Sequence, residues 1–174
     1  DHMRTELPLL ALTRALEAMP GDARLLEVLA LVRMNQKKFS EAADLMQQAY
    51  DTVVAKNPDD IPSRLFFYNY AVICTQLRRI PDAAGWLRRA MELDPDLLAV
   101  YLQRALAGTK RFRTSATEVL RTLLPWVQPT LRKRWLSHVA GLKSQHPLQT
   151  PGIDDPRTHY GLISAVAAAL NDEA

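Results

Sequence analysis

Residues 64–95 read RLFFYNYAVICTQLRRIPDAAGWLRRAMELDP. At helical spacing this is two amphipathic helices joined by a short turn and closed by a proline. The first carries Phe67, Tyr70, Ala71 and Cys74 on one face, and the second carries Ala83, Leu87 and Ala90. Pro95 stops the second helix, because it has no amide hydrogen and its ring clashes with the turn before it. Such a pair leaves an apolar face uncovered and needs a neighbour of the same build.

Neighbours lie on both sides. Residues 5–20 match the second helix of the pair, with Leu12, Ala15 and Pro20 falling as Leu87, Ala90 and Pro95 do. The spacing places Pro8 in the first turn of that helix, where a missing amide costs little. The chain thus starts halfway through a unit, as a fragment of a longer array would. Residues 23–58 form a complete unit. Leu26, Leu29 and Ala30 lie on its first helix; Phe39 and Ser40 make the turn, with Ser40 as N-cap candidate; Ala42, Met46 and Ala49 lie on its second helix. That second helix runs one turn longer than its siblings before Asn57-Pro58. Residues 64–97 repeat the pattern, and 98–125 repeat it in degenerate form, with Gly108 interrupting the first helix and Ser115 or Ala116 as the small residue of the second.

Ala30 and Ala71, Phe39 and Ile80, Ala42 and Ala83, Ala49 and Ala90, and Pro58 and Pro95 occupy equivalent places. This set resembles the tetratricopeptide repeat, a helix–turn–helix unit of about 34 residues, over residues 5–124. The resemblance implies an all-α solenoid of antiparallel helix pairs, extended here by C-terminal capping helices. Residues 128–146 form one such capping helix, with Leu131, Trp135, Val139 and Leu142 on one side. Residues 147–174 form a proline-rich connector and a short final helix carrying Leu162, Ile163, Val166 and Leu170. Residues 1–3, Asp-His-Met, look like an expression-tag remnant, so the natural N-terminus is read as missing and the compartment is left open, the cytoplasm favoured and the periplasm the alternative.

The 174 residues are 48% hydrophobic, enough for one sizeable core, and the single cysteine rules out an internal disulfide. Cys74 lies on an apolar helix face and reads as a small buried hydrophobe. No catalytic constellation is visible. His138, His146 and His159 have no partner at metal-ligand spacing, and Asp154-Asp155 with His159 fits no known site. The reading is therefore a non-enzyme without cofactor or metal.

The net charge of +3 hides an asymmetry: residues 98–146 hold 9 basic and 1 acidic side chain, while residues 1–62 hold 7 and 10. Arg104, Lys110, Arg111, Arg113, Arg121, Arg132, Lys133 and Arg134 form the candidate basic patch, suited to an acidic protein partner. Nucleic acid is disfavoured, because Trp126 and Trp135 are expected to pack in the capping core rather than stack on bases.

The resemblance further implies a concave groove lined by the first helices, binding a peptide or a partner helix. Its candidate residues are Leu31, Met34 and Asn35; Tyr68, Asn69, Val72 and Gln76; and Gln103, Leu106 and Lys110. Amides there would pair with an extended backbone, while Leu31, Met34 and Val72 would offer apolar pockets. The family subclass that clamps the carboxylate tail of heat-shock chaperones uses positions that are Glu27, Leu31, Asn69, Ala99 and Gln103 here, and only Asn69 agrees. The expected role is a protein-interaction scaffold within a larger protein or assembly. Two alternatives stand beside it: a regulatory or substrate-presenting domain of a larger enzyme such as a transferase, and a cell-envelope scaffold of a secretion or polysaccharide-export machine. The last helix is the expected occupant of the groove, or else a contact for a homo-oligomer.

Overall fold

The computed structural model describes residues 2–145 and 159–171. In chain order the helices are α1 (His2–Ala18), α2 (Ala23–Asn35), α3 (Phe39–Lys56), α4 (Phe66–Gln76), α5 (Ile80–Leu93), α6 (Leu97–Ala107), α7 (Lys110–Leu123), α8 (Pro129–Gln145) and α9 (His159–Asn171). A single 3-10 turn, Leu124–Trp126, separates α7 from α8. No strand occurs among the described residues. The architecture is the expected all-α stack of helix pairs. Helix α2 packs on α3 and α4 on α5, and the first helices touch their successors, α2 against α4 and α4 against α6.

Small residues let the paired helices approach. Ala30, Ala42 and Ala49 in one pair, and Ala71, Ala83 and Ala90 in the next, are all buried. Between the pairs sits an aromatic cluster. Trp86 of α5 stacks on Tyr70 with centroids 4.6 Å apart, and on Phe67 at 5.6 Å. Tyr50 of α3 meets the Trp86 ring edge-on at 5.2 Å. The Arg89 guanidinium lies 4.2 Å from the Phe67 centroid and donates to the Tyr50 hydroxyl at 2.9 Å, so one cation ties three rings together. The Tyr70 hydroxyl donates to Gln47 at 2.9 Å, which adds a polar link from α4 back to α3.

Both complete pairs turn the same way. Lys37 and Arg78 adopt left-handed backbone at φ 62° and 55°. The next amides fold back five residues, Lys38 N–H to the Arg33 carbonyl and Arg79 N–H to the Cys74 carbonyl, each at 2.9 Å. This is a Schellman closure formed without its usual glycine.

Three local expectations need correction. Helix α1 starts at His2, so Pro8 lies inside it rather than in the first turn. Helix α3 starts at Phe39, preceded by Lys38 with no side-chain cap, so Ser40 falls within the first turn and caps nothing. Gly108 ends α6 instead of interrupting it; a Cβ there would come within 3.1 Å of the Arg104 carbonyl, and Thr109 at once caps α7 by accepting from the Phe112 amide at 3.1 Å. The third pair is correspondingly irregular, with α7 leaning mainly on α5 and α9.

The last helix does not enter the groove. Helix α9 packs on α7, α8 and the 3-10 turn, burying Leu162, Ile163 and Val166 there. These three residues of its apolar stripe are thus covered within the chain, and the fourth, Leu170, has its side chain outside the described residues. The connector, with Asp154 and Asp155, and His146 lie outside the described residues.

Two stability changes of opposite sign are expected. Lys37→Gly should raise stability by about 0.5–1 kcal/mol, because only the left-handed strain is removed. Trp86→Ala should cost about 3 kcal/mol by emptying the aromatic cluster. Urea denaturation of each variant checks both values.

Candidate functional site

Helix α4 lies between two first helices and its own second helix, and nine of its eleven residues are buried. Only Asn69 and Gln76 stay partly open; seven residues apart, they share one face. The repeat offset of 41 residues puts Asn35 where Gln76 stands, and the offset of 34 puts Gln103 where Asn69 stands. Asn35 and Gln103 are exposed. Leu31 and Met34 are half-buried on α2. Asn35 and Gln76 thus share one repeat position, and Asn69 and Gln103 another, so each of two positions carries amides on two neighbouring first helices, with Leu31 and Met34 as apolar flanks on α2.

Other groove candidates do not reach solvent as expected. Val72 is 1% exposed and offers no pocket, because α4 is covered on nearly every side. Tyr68 and Leu106 are also buried. Burial raises the Tyr68 phenol above its ordinary value, with the neighbouring Arg104 guanidinium pulling it the other way. Lys110 opens α7 rather than closing a first helix, since α6 has already ended at Ala107. Glu27, which the clamp comparison singled out, is buried and accepts from the Ser63 hydroxyl at 2.7 Å, tying α2 to the segment leading into α4.

The basic patch divides in two. Arg104, Lys110, Arg111, Arg121 and Lys133 are exposed. Arg113 is buried and donates to the carbonyls of Leu106 (3.3 Å) and Gly108 (2.6 Å), so it closes the end of α6. Arg134 pairs with Asp96. Arg132 donates to the Val127 carbonyl at 2.9 Å and the Pro125 carbonyl at 2.6 Å, clamping the 3-10 turn and the residue after it to α8. That clamp holds Trp126 outward at 69% exposure, where Arg88 lies 5.4 Å from its ring. The expectation that both tryptophans pack in the capping core thus holds for Trp135 alone. Beside Trp126 is a cavity of about 280 Å³, lined by Met91, Leu123, Val127 and Leu131 with Arg88 and Glu92 at its edge. Nothing in the sequence pattern distinguished Trp126 from a core residue.

Chemistry-bearing groups are otherwise quiet. Burial pushes the Cys74 thiol up to about 12, and the Tyr70 phenol to about 12 for the same reason. Tyr101 is raised further by burial, while its hydrogen bond to Thr75 (2.7 Å) opposes the shift. His138 stands edge-on to Trp135 at 5.2 Å. No cluster of three or more His, Cys, Asp or Glu residues able to hold a metal occurs among the described residues. None of the helices there is long and apolar enough to cross a membrane.

These placements set two measurable outcomes. Native Cys74 should react with a thiol reagent at pH 8 far more slowly than the unfolded chain. Because the thiol and phenols are raised in the fold, their contribution is complete below pH 9 and is lost as pH rises toward 12, so stability should fall on the alkaline side. Separately, Arg113→Ala should cost about 1.5–3 kcal/mol by stranding buried carbonyls. Arg121→Ala and Lys133→Ala should stay within about 0.5 kcal/mol. Thermal melts of the three variants separate structural from surface arginines.

The tetratricopeptide repeat family model matches residues 9–61 and 47–97, together just over half of the chain. A stretch of 57 residues is 44% identical to the acetolactate synthase isozyme 1 large subunit of Escherichia coli (strain K12), covering 33% of this chain and 10% of that protein. The chain therefore spans about a tenth of the length of that curated relative. No solved structure matches the chain significantly. The family match spans both complete helix pairs, with their buried alanines and twin left-handed turns, and the chain belongs to the tetratricopeptide repeat family.

Proposed function

We propose that this chain is a non-catalytic protein-interaction scaffold that holds a peptide or a partner helix along α2, α4 and α6. Tetratricopeptide repeats generally mediate protein–protein contact. The observation that carries the reading is the set of solvent-accessible amides on the first helices, Asn35 and Gln76 at one repeat position and Asn69 and Gln103 at another. Each amide supplies donors and an acceptor, which suits an extended backbone or the polar face of a helix. Of the groove candidates, Leu31 and Met34 are the apolar contacts that remain accessible; Tyr68, Val72 and Leu106 act through the core instead. The exposed cations Arg104, Lys110 and Arg111 at the third pair favour a ligand with acidic side chains at that end.

The partial likeness to an enzyme subunit supports a second reading, in which the array is a non-catalytic part of a larger enzyme assembly. The groove would then hold a segment of that assembly, and the same residues would be used.

The test is selection of binders from a random peptide display library on the purified chain. Peptides enriched in acidic residues are expected, with affinity falling as salt rises. The pair Asn69→Ala with Gln76→Ala should weaken them tenfold or more, and Arg121→Ala should not. Binders indifferent to the amide pair would remove the groove from the account.

A further inference from the structure

The 3-10 turn between α7 and α8 sorts its apolar side chains unevenly. Leu124 and the following Val127 are buried, yet Trp126 between them is 69% exposed. The other two tryptophans behave differently: Trp135 is buried, and Trp86 is half-buried in the aromatic cluster. Beside Trp126 lies the cavity of about 280 Å³, with Met91, Leu123, Val127 and Leu131 as its apolar lining. Arg88, Glu92 and Gln128, all exposed, complete that lining. None of these residues belongs to a first helix, so the cavity is separate from the groove amides. Its walls are held from within the chain. Arg132 fixes the turn through the Val127 and Pro125 carbonyls, and the Arg88 guanidinium lies 5.4 Å from the Trp126 ring.

We propose that this cavity is a second docking site, taking a peptide segment of a partner protein that carries a large apolar side chain beside an acidic one. Size selects a single anchor. Pockets that enclose a drug-sized molecule run to about 300–1,000 Å³, and this one falls just below that range. A side chain seated there meets hydrocarbon from α5, α7 and α8 together with the Trp126 indole. Tryptophan and arginine around a pocket are residue types that dominate binding energy at protein interfaces. Charge selects the neighbour. Arg88 meets Glu92 only loosely, at 3.9 Å, so its guanidinium keeps donors for a second carboxylate. Glu92 repels an acid on its own side, which leaves the Trp126 side of Arg88 for it. Exposed Arg121 and Lys133 stand two residues along the chain from the lining residues Leu123 and Leu131. Asp96, next to the lining residue Pro95, is already paired with Arg134. The balance at this end therefore favours an acidic ligand, and the Gln128 amide is placed to meet its backbone.

The probe is the blocked peptide acetyl-Gly-Ser-Asp-Phe-Asp-Ser-amide, titrated into the full chain and followed through backbone and indole N–H signals by NMR. A saturable shift in the millimolar range is expected at Trp126 and Val127. The same peptide with serine in place of phenylalanine should not bind. With lysine in place of both aspartates it should bind at least tenfold more weakly. Trp126→Ala and Arg88→Glu, both at exposed positions, should each weaken the probe tenfold or more, and Arg88→Glu should turn the preference toward the lysine peptide. Asn69→Ala with Gln76→Ala should leave binding unchanged, which separates this site from the groove. Circular dichroism checks that the variants keep their helices. Absence of a saturable shift, equal binding of the serine peptide, or indifference to both Trp126→Ala and Arg88→Glu would overturn the proposal. So would Trp126 shifts that grow with the concentration of the chain alone, because the occupant would then be a second copy.

Discussion

The stacking of Trp86 on Phe67 and Tyr70, pinned by Arg89 and closed by Tyr50, is the contact on which the remainder of the array rests. It joins α3, α4 and α5, so it is at once the interior of one pair and the seam between two. Aromatic side chains of this size bury roughly 150–250 Å² each, and at about 25 cal/mol per Å² a ring sealed here outweighs any surface ion pair in the chain. The exposed pairs, Arg33 with Glu41 at 3.4 Å and Arg88 with Glu92 at 3.9 Å, belong to the class that contributes about 0–1 kcal/mol. A repeat array is held by nearest-neighbour interfaces, and this cluster belongs to two of them at once.

That central position explains the character of the groove. Because α4 is enclosed by its neighbours, it has little left to show, and what it shows is amide rather than hydrocarbon. The third pair is built differently. The end of α6 at Gly108 exposes carbonyls that Arg113 turns inward to satisfy. A residue that adds to the charge of the segment is thereby withdrawn from the surface. The capping end then closes on α9, which packs on α7, α8 and the 3-10 turn rather than on the first helices.

Much of this was legible in the sequence, for a physical reason. The paired alanines at 30 and 71, 42 and 83, and 49 and 90 are local signals, set by the helical period and the distance at which two helices can cross. Family membership and the helix pairs follow from them. What was not legible depends on contacts between distant residues. Val72 has the spacing of a groove residue, but its burial is decided by α2 and α6 together. Trp126 has the composition of a core residue, but Arg132, several positions along, holds its turn outward. The partners of Arg113 exist only because α6 stops early, and Ser40 lost its capping role because α3 begins at Phe39, two residues sooner than a Ser40 cap requires. The face chosen by α9 could not be read from its stripe, since any apolar seat would have served.

The measurement that bears most directly on a stack centred on α4 is amide hydrogen exchange along the native chain. Slowest exchange is expected in α4 and α5, intermediate rates in α2 and α7, and fastest exchange in α1, which among the described residues packs on α2. Protection in α4 no greater than that in α1 would contradict a stack centred on α4, because enclosure by neighbouring helices would then not set its stability.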